Sequence, residues 1–231
     1  SIYLSYSILV NTNKIKESLI NFNRNQINLV SKIYNQRIYL LFIIPLLLTL
    51  CLALYLPATY DETFTFVNFI NRGAVVSASF YPAPNNHVLF SVISSLFNLF
   101  SFKNIFPFRM ISIIFLILSL YMITKILIDN SKKIKNYYFF LISIFPLTLT
   151  YIYQSSLARG YSLLIFLTLI NIYLIKKILK KGDNKYLVVF SFCSALSFYT
   201  IPSYFYSHLI FCIILLWKKN SLSFLIKSNI C

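Results

Sequence analysis

The sequence predicts an all-α polytopic transmembrane bundle of about six spans, with interfacial helices in its first outer loop, and three observations carry that prediction. Apolar residues make up 58% of the 231 and charged residues 11%, with a mean hydropathy of +0.74, whereas globular chains run at about 45–50% and about 25%. Uncharged runs such as Ile38–Leu56 recur along the chain. As helix they rise about 1.5 Å per residue and cross a hydrocarbon core of about 30 Å. They do not alternate as barrel strands would, and a helix satisfies its own backbone hydrogen bonds in lipid. The basic residues, finally, collect in every second connection between runs, as positive charge does on the cytoplasmic side.

Taken in order, residues 1–37 hold Lys14, Lys16, Arg24, Lys32 and Arg37 and read as a basic cytoplasmic segment. Residues 38–231 read as the transmembrane domain. The first span, 38–56, is long enough to cross and so is not taken for a cleavable signal peptide. Further spans are expected near Phe108–Ile126, Tyr137–Tyr153, Tyr161–Ile175, Tyr186–Thr200 and Ser203–Trp217. This layout leaves only Arg72, Lys103, Arg109 and Arg159 of the 21 basic residues away from the inner side. Val88–Phe102 is apolar but short and holds Ser and Asn, so it reads as an interfacial or re-entrant helix on the outer surface. The first outer loop then runs from about 57 to 107, far longer than the other outer connections, and long loops are where function concentrates. The N terminus is placed in the cytoplasm, the long loop outside, and the protein in the plasma or inner membrane. The chain ends soon after the sixth span and reads as truncated there.

A net charge of +16 raises the question of nucleic acid, which the distribution answers. The cations lie between apolar runs rather than on one face of a soluble fold, so no nucleic-acid partner is expected. Cys51, Cys193 and Cys212 fall inside apolar segments and Cys231 ends the chain, without metal or redox spacing. They read as buried small apolar residues. No cofactor is called for, although a divalent metal is left open.

The five acidic residues locate the candidate chemistry. Glu17, Asp129 and Asp183 sit in basic inner segments, which leaves Asp61 and Glu62 as the acidic pair of the outer face. Asp61 follows the first span closely and would lie at the membrane–water boundary, where lower polarity strengthens a carboxylate as a base. The plainer reading makes Asp61 the N-cap of a helix that begins at Glu62. Asn86 and His87 close a Pro-rich turn leading into 88–102, where His87 suits a sugar hydroxyl or a phosphate, or simply a cap. Arg159 stands where a span begins, a position that suits phosphate; interfacial snorkelling is the plainer alternative. Arg72 and Arg109 are further outer cations.

The order of these segments resembles a known family. DETFTF (61–66), PAPNNHVLF (82–90), FRMISIIF (108–115) and LARGYSLL (157–164), set after a first span, resemble the GT-C membrane glycosyltransferases. The nearest groups are the protein O-mannosyltransferase-like and aminoarabinose-transferase-like enzymes of glycosyltransferase family 39 type. The resemblance covers roughly residues 38–180. It implies a polyprenyl-phosphate sugar donor, inverting transfer to an acceptor protein, lipid or glycan on the extracytoplasmic face, and Asp61 as the general base. It further places Glu62 beside Asp61 as catalytic and His87, Asn86, Arg159, Arg72 and Arg109 as substrate-binding, with Arg159 and Arg72 neutralising the leaving phosphate and Glu62 and His87 orienting acceptor or sugar. Many relatives have Pro-Pro-Leu where this chain has Asn85-Asn86-His87-Val88-Leu89, which leaves the acceptor contacts open. Relatives are also about twice as long. Two rivals stand beside this reading. A transporter or lipid flippase would place ionisable groups at mid-membrane depth. An inactive fragment or scaffold would leave Asp61, Glu62 and Arg159 pointing away from one another.

Overall fold

The computed structural model describes residues 42–81, 86–100, 104–130 and 145–219, with backbone only at 127–130, 181 and 218–219. All lie in the unit Phe42–Cys231. The predicted basic segment 1–37 therefore lies outside the described residues, as do 38–41 of the first span and 137–144 of the third.

Among the described residues every regular element is helical. Helix α1, Phe42–Tyr55, ends before Pro57, which has no N–H to continue it. The chain turns by 72° into α2, Tyr60–Asn68. A 3₁₀ turn, Ile70–Arg72, leads through Gly73, whose φ of 93° favours glycine, into α3, Ala74–Ser79. Helix α4, Val88–Phe97, continues as a 3₁₀ turn to Phe100. Then come α5, Phe106–Asn130, α6, Leu149–Ser156, α7, Tyr161–Lys181, α8, Asn184–Thr200, and α9, Tyr204–Lys219. Within the long loop of 57–107 the described residues thus form a cap of short helices.

The expected count of six spans is not reached. Two helical stretches, Phe106–Ile126 and Tyr161–Lys180, are long and apolar enough to cross a membrane, or three if α1 and α2 form one bent span. The shortfall has local causes. Helices α8 and α9 hold 17 and 16 residues, about 24–26 Å of rise against a core of about 30 Å. The described part of the third predicted span is broken: Pro146 sits in a 3₁₀ turn, Thr148 is extended, and α6 is only eight residues long. Helix α4 was expected to be too short to cross, and with its 3₁₀ extension it covers Val88–Phe100.

Helix α7 is the central element, packed against α5, α6, α8 and α9, while α4 leans on α8. Leu174, Ile175 and Ile178 meet Leu187 and Phe190 of α8 and Phe211 and Leu215 of α9. Between the same helices Asn171 Nδ2 donates to Tyr204 Oη at 2.7 Å and Ser194 Oγ lies 3.2 Å from it. In lipid such interhelical bonds fix register at a gain of about 0.6–2 kcal/mol each. A second core joins Ile70 and Phe90 of the cap to Phe108 and Ile111 of α5 and to Leu163 and Leu167 of α7. That core seats the cap on one end of the α5–α7 pair.

Candidate functional site

Two buried polar constellations meet where the cap rests on α5 and α7. The first begins with α2. Thr59 is its N-cap: Thr59 Oγ1 accepts from the Glu62 N–H at 3.3 Å, and the Thr59 N–H donates to Glu62 Oε2 at 2.9 Å. This reciprocal capping box corrects the sequence reading of Asp61 as the cap, because Thr59 stands three residues before a glutamate that reaches back. The box aims the Glu62 carboxylate inward, where Arg109 Nε donates to Oε1 at 2.8 Å and Nη2 to Oε2 at 2.7 Å. The Ala158 N–H adds a third donor, 2.7 Å from Oε1.

Arg109 spends its remaining N–H groups on the end of α1. Nη1 donates to Ala53 O at 2.9 Å and Leu56 O at 2.7 Å, and Nη2 to Pro57 O at 3.0 Å. A helix end leaves carbonyls unpaired, and here one guanidinium takes them up. All five of its donors are engaged. Glu62 and Arg109 are 0% and 2% exposed as side chains, so the pair ties α1, α2, α5 and the residue before Arg159 together and leaves no donor over for a ligand.

The second constellation is less complete. Arg159, 4% exposed, places Nη1 3.4 Å from Oδ2 of Asp61, which is 56% exposed. Its Nη2 lies 3.2 Å from His87 Nε2. Nε and Nη1 have no hydrogen-bond partner; the contact with Asp61 is an ion pair beyond good hydrogen-bonding distance. Helix α5 holds the backbone here, Ser112 Oγ donating to Arg159 O at 3.2 Å.

His87 is buried and precedes α4. The Gly160 N–H donates to its Nδ1 at 2.8 Å, so that nitrogen is unprotonated and a neutral ring carries its proton on Nε2. Arg159 Nη2 then faces an N–H, which deepens the guanidinium's need for an anion. Burial, and then the charge of Arg159, pull the His87 pKa down to about 3, so the ring is neutral at ordinary pH. The Tyr161 ring stands edge-on to His87 at 4.7 Å, with the Arg159 guanidinium 5.8 Å from its centre.

Of the residues named from sequence, Asp61, His87 and Arg159 form one group and Glu62 and Arg109 an adjoining one. Asp61, Glu62 and Arg159 thus do not point away from one another. Asn86 is buried and committed to the backbone: Nδ2 donates to Ser77 O and Phe80 O, both at 3.1 Å, and Oδ1 accepts from Ser91 Oγ at 2.7 Å. Arg72 is exposed at the end of its 3₁₀ turn. Gly160 and Tyr161 were not singled out. At Gly160 a Cβ would lie 2.9 Å from His87 Cβ and 3.0 Å from Thr200 Cγ2, and a glycine at a span start beside an arginine was the available signal. Among the described residues no group of three His, Cys, Asp or Glu side chains is placed to hold a metal.

Fold and site together define an all-helical protein with two or three membrane-length helices and a buried arginine beside an accessible carboxylate. No protein-family model, curated protein or solved structure matches the chain.

Proposed function

We propose that this chain is the N-terminal portion of a membrane glycosyltransferase that moves a sugar from a polyprenyl-phosphate donor to an acceptor on the extracytoplasmic face. The supporting observation is the pairing of half-exposed Asp61 with Arg159, a buried cation with two N–H-bearing nitrogens unmet. In the proposed step Asp61 takes the proton of an acceptor hydroxyl as its oxygen attacks the anomeric carbon from the face opposite the phosphate. The bond from that carbon to the phosphate oxygen breaks, and the phosphate leaves with the electron pair. Negative charge gathers on it, and Arg159 stabilises that charge from a site that is largely dry. Neutral His87 and the Glu62–Arg109 pair act on the substrates through the position they impose on Arg159 and Asp61. The N terminus in the cytoplasm and the cap of short helices on the extracytoplasmic face complete the arrangement.

The reading is tested by measuring transfer from a labelled polyprenyl-phosphate sugar in membranes that carry the complete gene product. Asp61→Asn is expected to lower turnover by about 10²–10⁴, the usual contribution of a general base. Undiminished transfer in that variant removes Asp61 from the role. Transport is the weaker reading, because the charged residues of α5 and α7 sit at the helix ends rather than at mid-depth.

A further inference from the structure

Tyr161 takes no part in the step proposed above, yet its ring borders the same arginine. It opens α7, one residue beyond Gly160, whose missing side chain makes room for His87: a Cβ there would lie 2.9 Å from His87 Cβ. The imidazole fills that gap and meets the Tyr161 ring at 4.7 Å between centres and 84° between planes. The guanidinium carbon of Arg159 lies 5.8 Å from the centre of the same ring. That is near the outer limit of a cation–π contact, about 6 Å, so the guanidinium borders the ring without covering it closely. Exposure separates the three, since Arg159 and His87 are buried whereas Tyr161 is half-buried. With half-exposed Asp61, Tyr161 is thus the part of this group that solvent reaches.

We propose that Tyr161 is a specificity-determining contact for the donor sugar, its ring stacking against the C–H face of a hexopyranose whose phosphate is held by Arg159. The inference rests on the lipid-phosphate reading above and adds a sugar subsite to it. A sugar hangs from its phosphate by a single bridging oxygen, so a phosphate against the unmet nitrogens of Arg159 sets the sugar against whatever borders the guanidinium. Two such borders are reachable: the Asp61 carboxylate, beside Nη1, and the Tyr161 ring. They suit different parts of a sugar. A carboxylate accepts from hydroxyls, whereas the face of an aromatic ring carries negative partial charge and favours C–H bonds, which are weakly positive at hydrogen. Tyrosine also presents that face at little conformational cost, because the ring is already braced edge-on by the buried His87.

The test is native mass spectrometry of the complete gene product in detergent, titrated with bare polyprenyl phosphate and with polyprenyl phosphates bearing mannose, glucose or galactose. At least one sugar-bearing lipid is expected to bind more tightly than the bare lipid. Tyr161→Leu should shrink that sugar-dependent gain by about three- to tenfold, the range of an aromatic contact, and leave the bare lipid within about twofold. Tyr161→Phe, which keeps the ring, should retain the gain within about twofold, and Tyr121→Leu, about three turns along α5 from Arg109, should alter neither lipid. The proposal is overturned if no sugar adds affinity, or if Tyr161→Leu weakens both lipids equally, which means that the ring only holds Arg159 in place. It is also overturned if Tyr161→Phe loses as much as Tyr161→Leu, which means that the hydroxyl makes the contact. Failure of the lipid-phosphate reading has a different signature: Arg159→Met then binds the bare lipid as tightly as the unaltered protein, and the sugar contact falls with it. If circular dichroism shows Tyr161→Leu unfolded, Tyr161→Trp decides; the larger ring should reorder the preference among the three sugars, and an unaltered order overturns the subsite.

Discussion

Asp61 and Glu62 are adjacent in sequence and each meets an arginine, yet the two ion pairs have opposite characters. Glu62–Arg109 is closed: the carboxylate accepts from two side-chain nitrogens of Arg109 and from two backbone N–H groups, and the guanidinium has no donor left. Asp61–Arg159 is open: the carboxylate is half in solvent, and two nitrogens of the guanidinium lack hydrogen bonds although buried. A buried polar group without a partner costs stability, and a fold retains one most readily where a ligand completes it. Saturation therefore marks Glu62–Arg109 as the clasp that holds the cap, and the incompleteness of Asp61–Arg159 is what the proposed function builds on.

The sharpest way to break this contrast is Arg109→Met. Removing one partner of a buried pair strands the other charge and here also unpairs three carbonyls, so a loss of about 3–5 kcal/mol is expected, read by thermal or denaturant unfolding in detergent. A loss below about 1 kcal/mol would make the clasp incidental.

Acid offers a second handle. His87 has a folded pKa of about 3, below its ordinary value near 6.5, so the unfolded chain binds the proton more readily. The stability tied to neutral His87 is fully present above pH 6.5 and drains away as the pH falls toward 3, by at most about 1.4 kcal/mol per unit. His87→Asn, which offers an amide oxygen near the Nδ1 position, should flatten the slope between pH 6.5 and 5. An identical slope in the variant would assign the acid sensitivity to other groups.

Gly160→Ala is expected to cost about 1–3 kcal/mol by overpacking, since its Cβ would press on His87 and Thr200. It should also lower the proposed transfer, because a displaced His87 ring would disturb its contact with Arg159. Unaltered stability would show that this corner has room to yield. The smallest effect is expected from Asp61→Asn, under about 1 kcal/mol on unfolding, because the carboxylate is 56% exposed and solvent screens its attraction to Arg159. A large stability loss there would make Asp61 a second clasp and erase the contrast with Glu62.

Much of the helical layout was legible in the sequence, for a local reason. Apolar runs and breakers act within a few residues, so helices appear at Phe106–Asn130, Tyr161–Lys181, Asn184–Thr200 and Tyr204–Lys219, within a few residues of the predicted positions. Span counting was less secure, because 16 or 17 residues fall on the margin of membrane thickness and Pro146 breaks a run that looked continuous. At the site, Asp61 was legible by its place just after the first span, His87 by the Pro-rich turn it closes, and Arg159 by its place at the start of a span. Glu62 and Arg109 were legible as candidates but not as partners.

What the sequence determined alone was therefore chemical and local: a helical chain too apolar for water as its main solvent, its charges gathered at helix ends, and a threonine three residues before a glutamate. Only the tertiary structure decided which charge answers which. Glu62 meets the Ala158 N–H across 96 residues and Arg109 across 47, and His87 meets Gly160 across 73. No short-range pattern encodes such pairings, because they arise only when α2, α5 and the start of α7 are brought to one end of the bundle by the packing of their apolar faces.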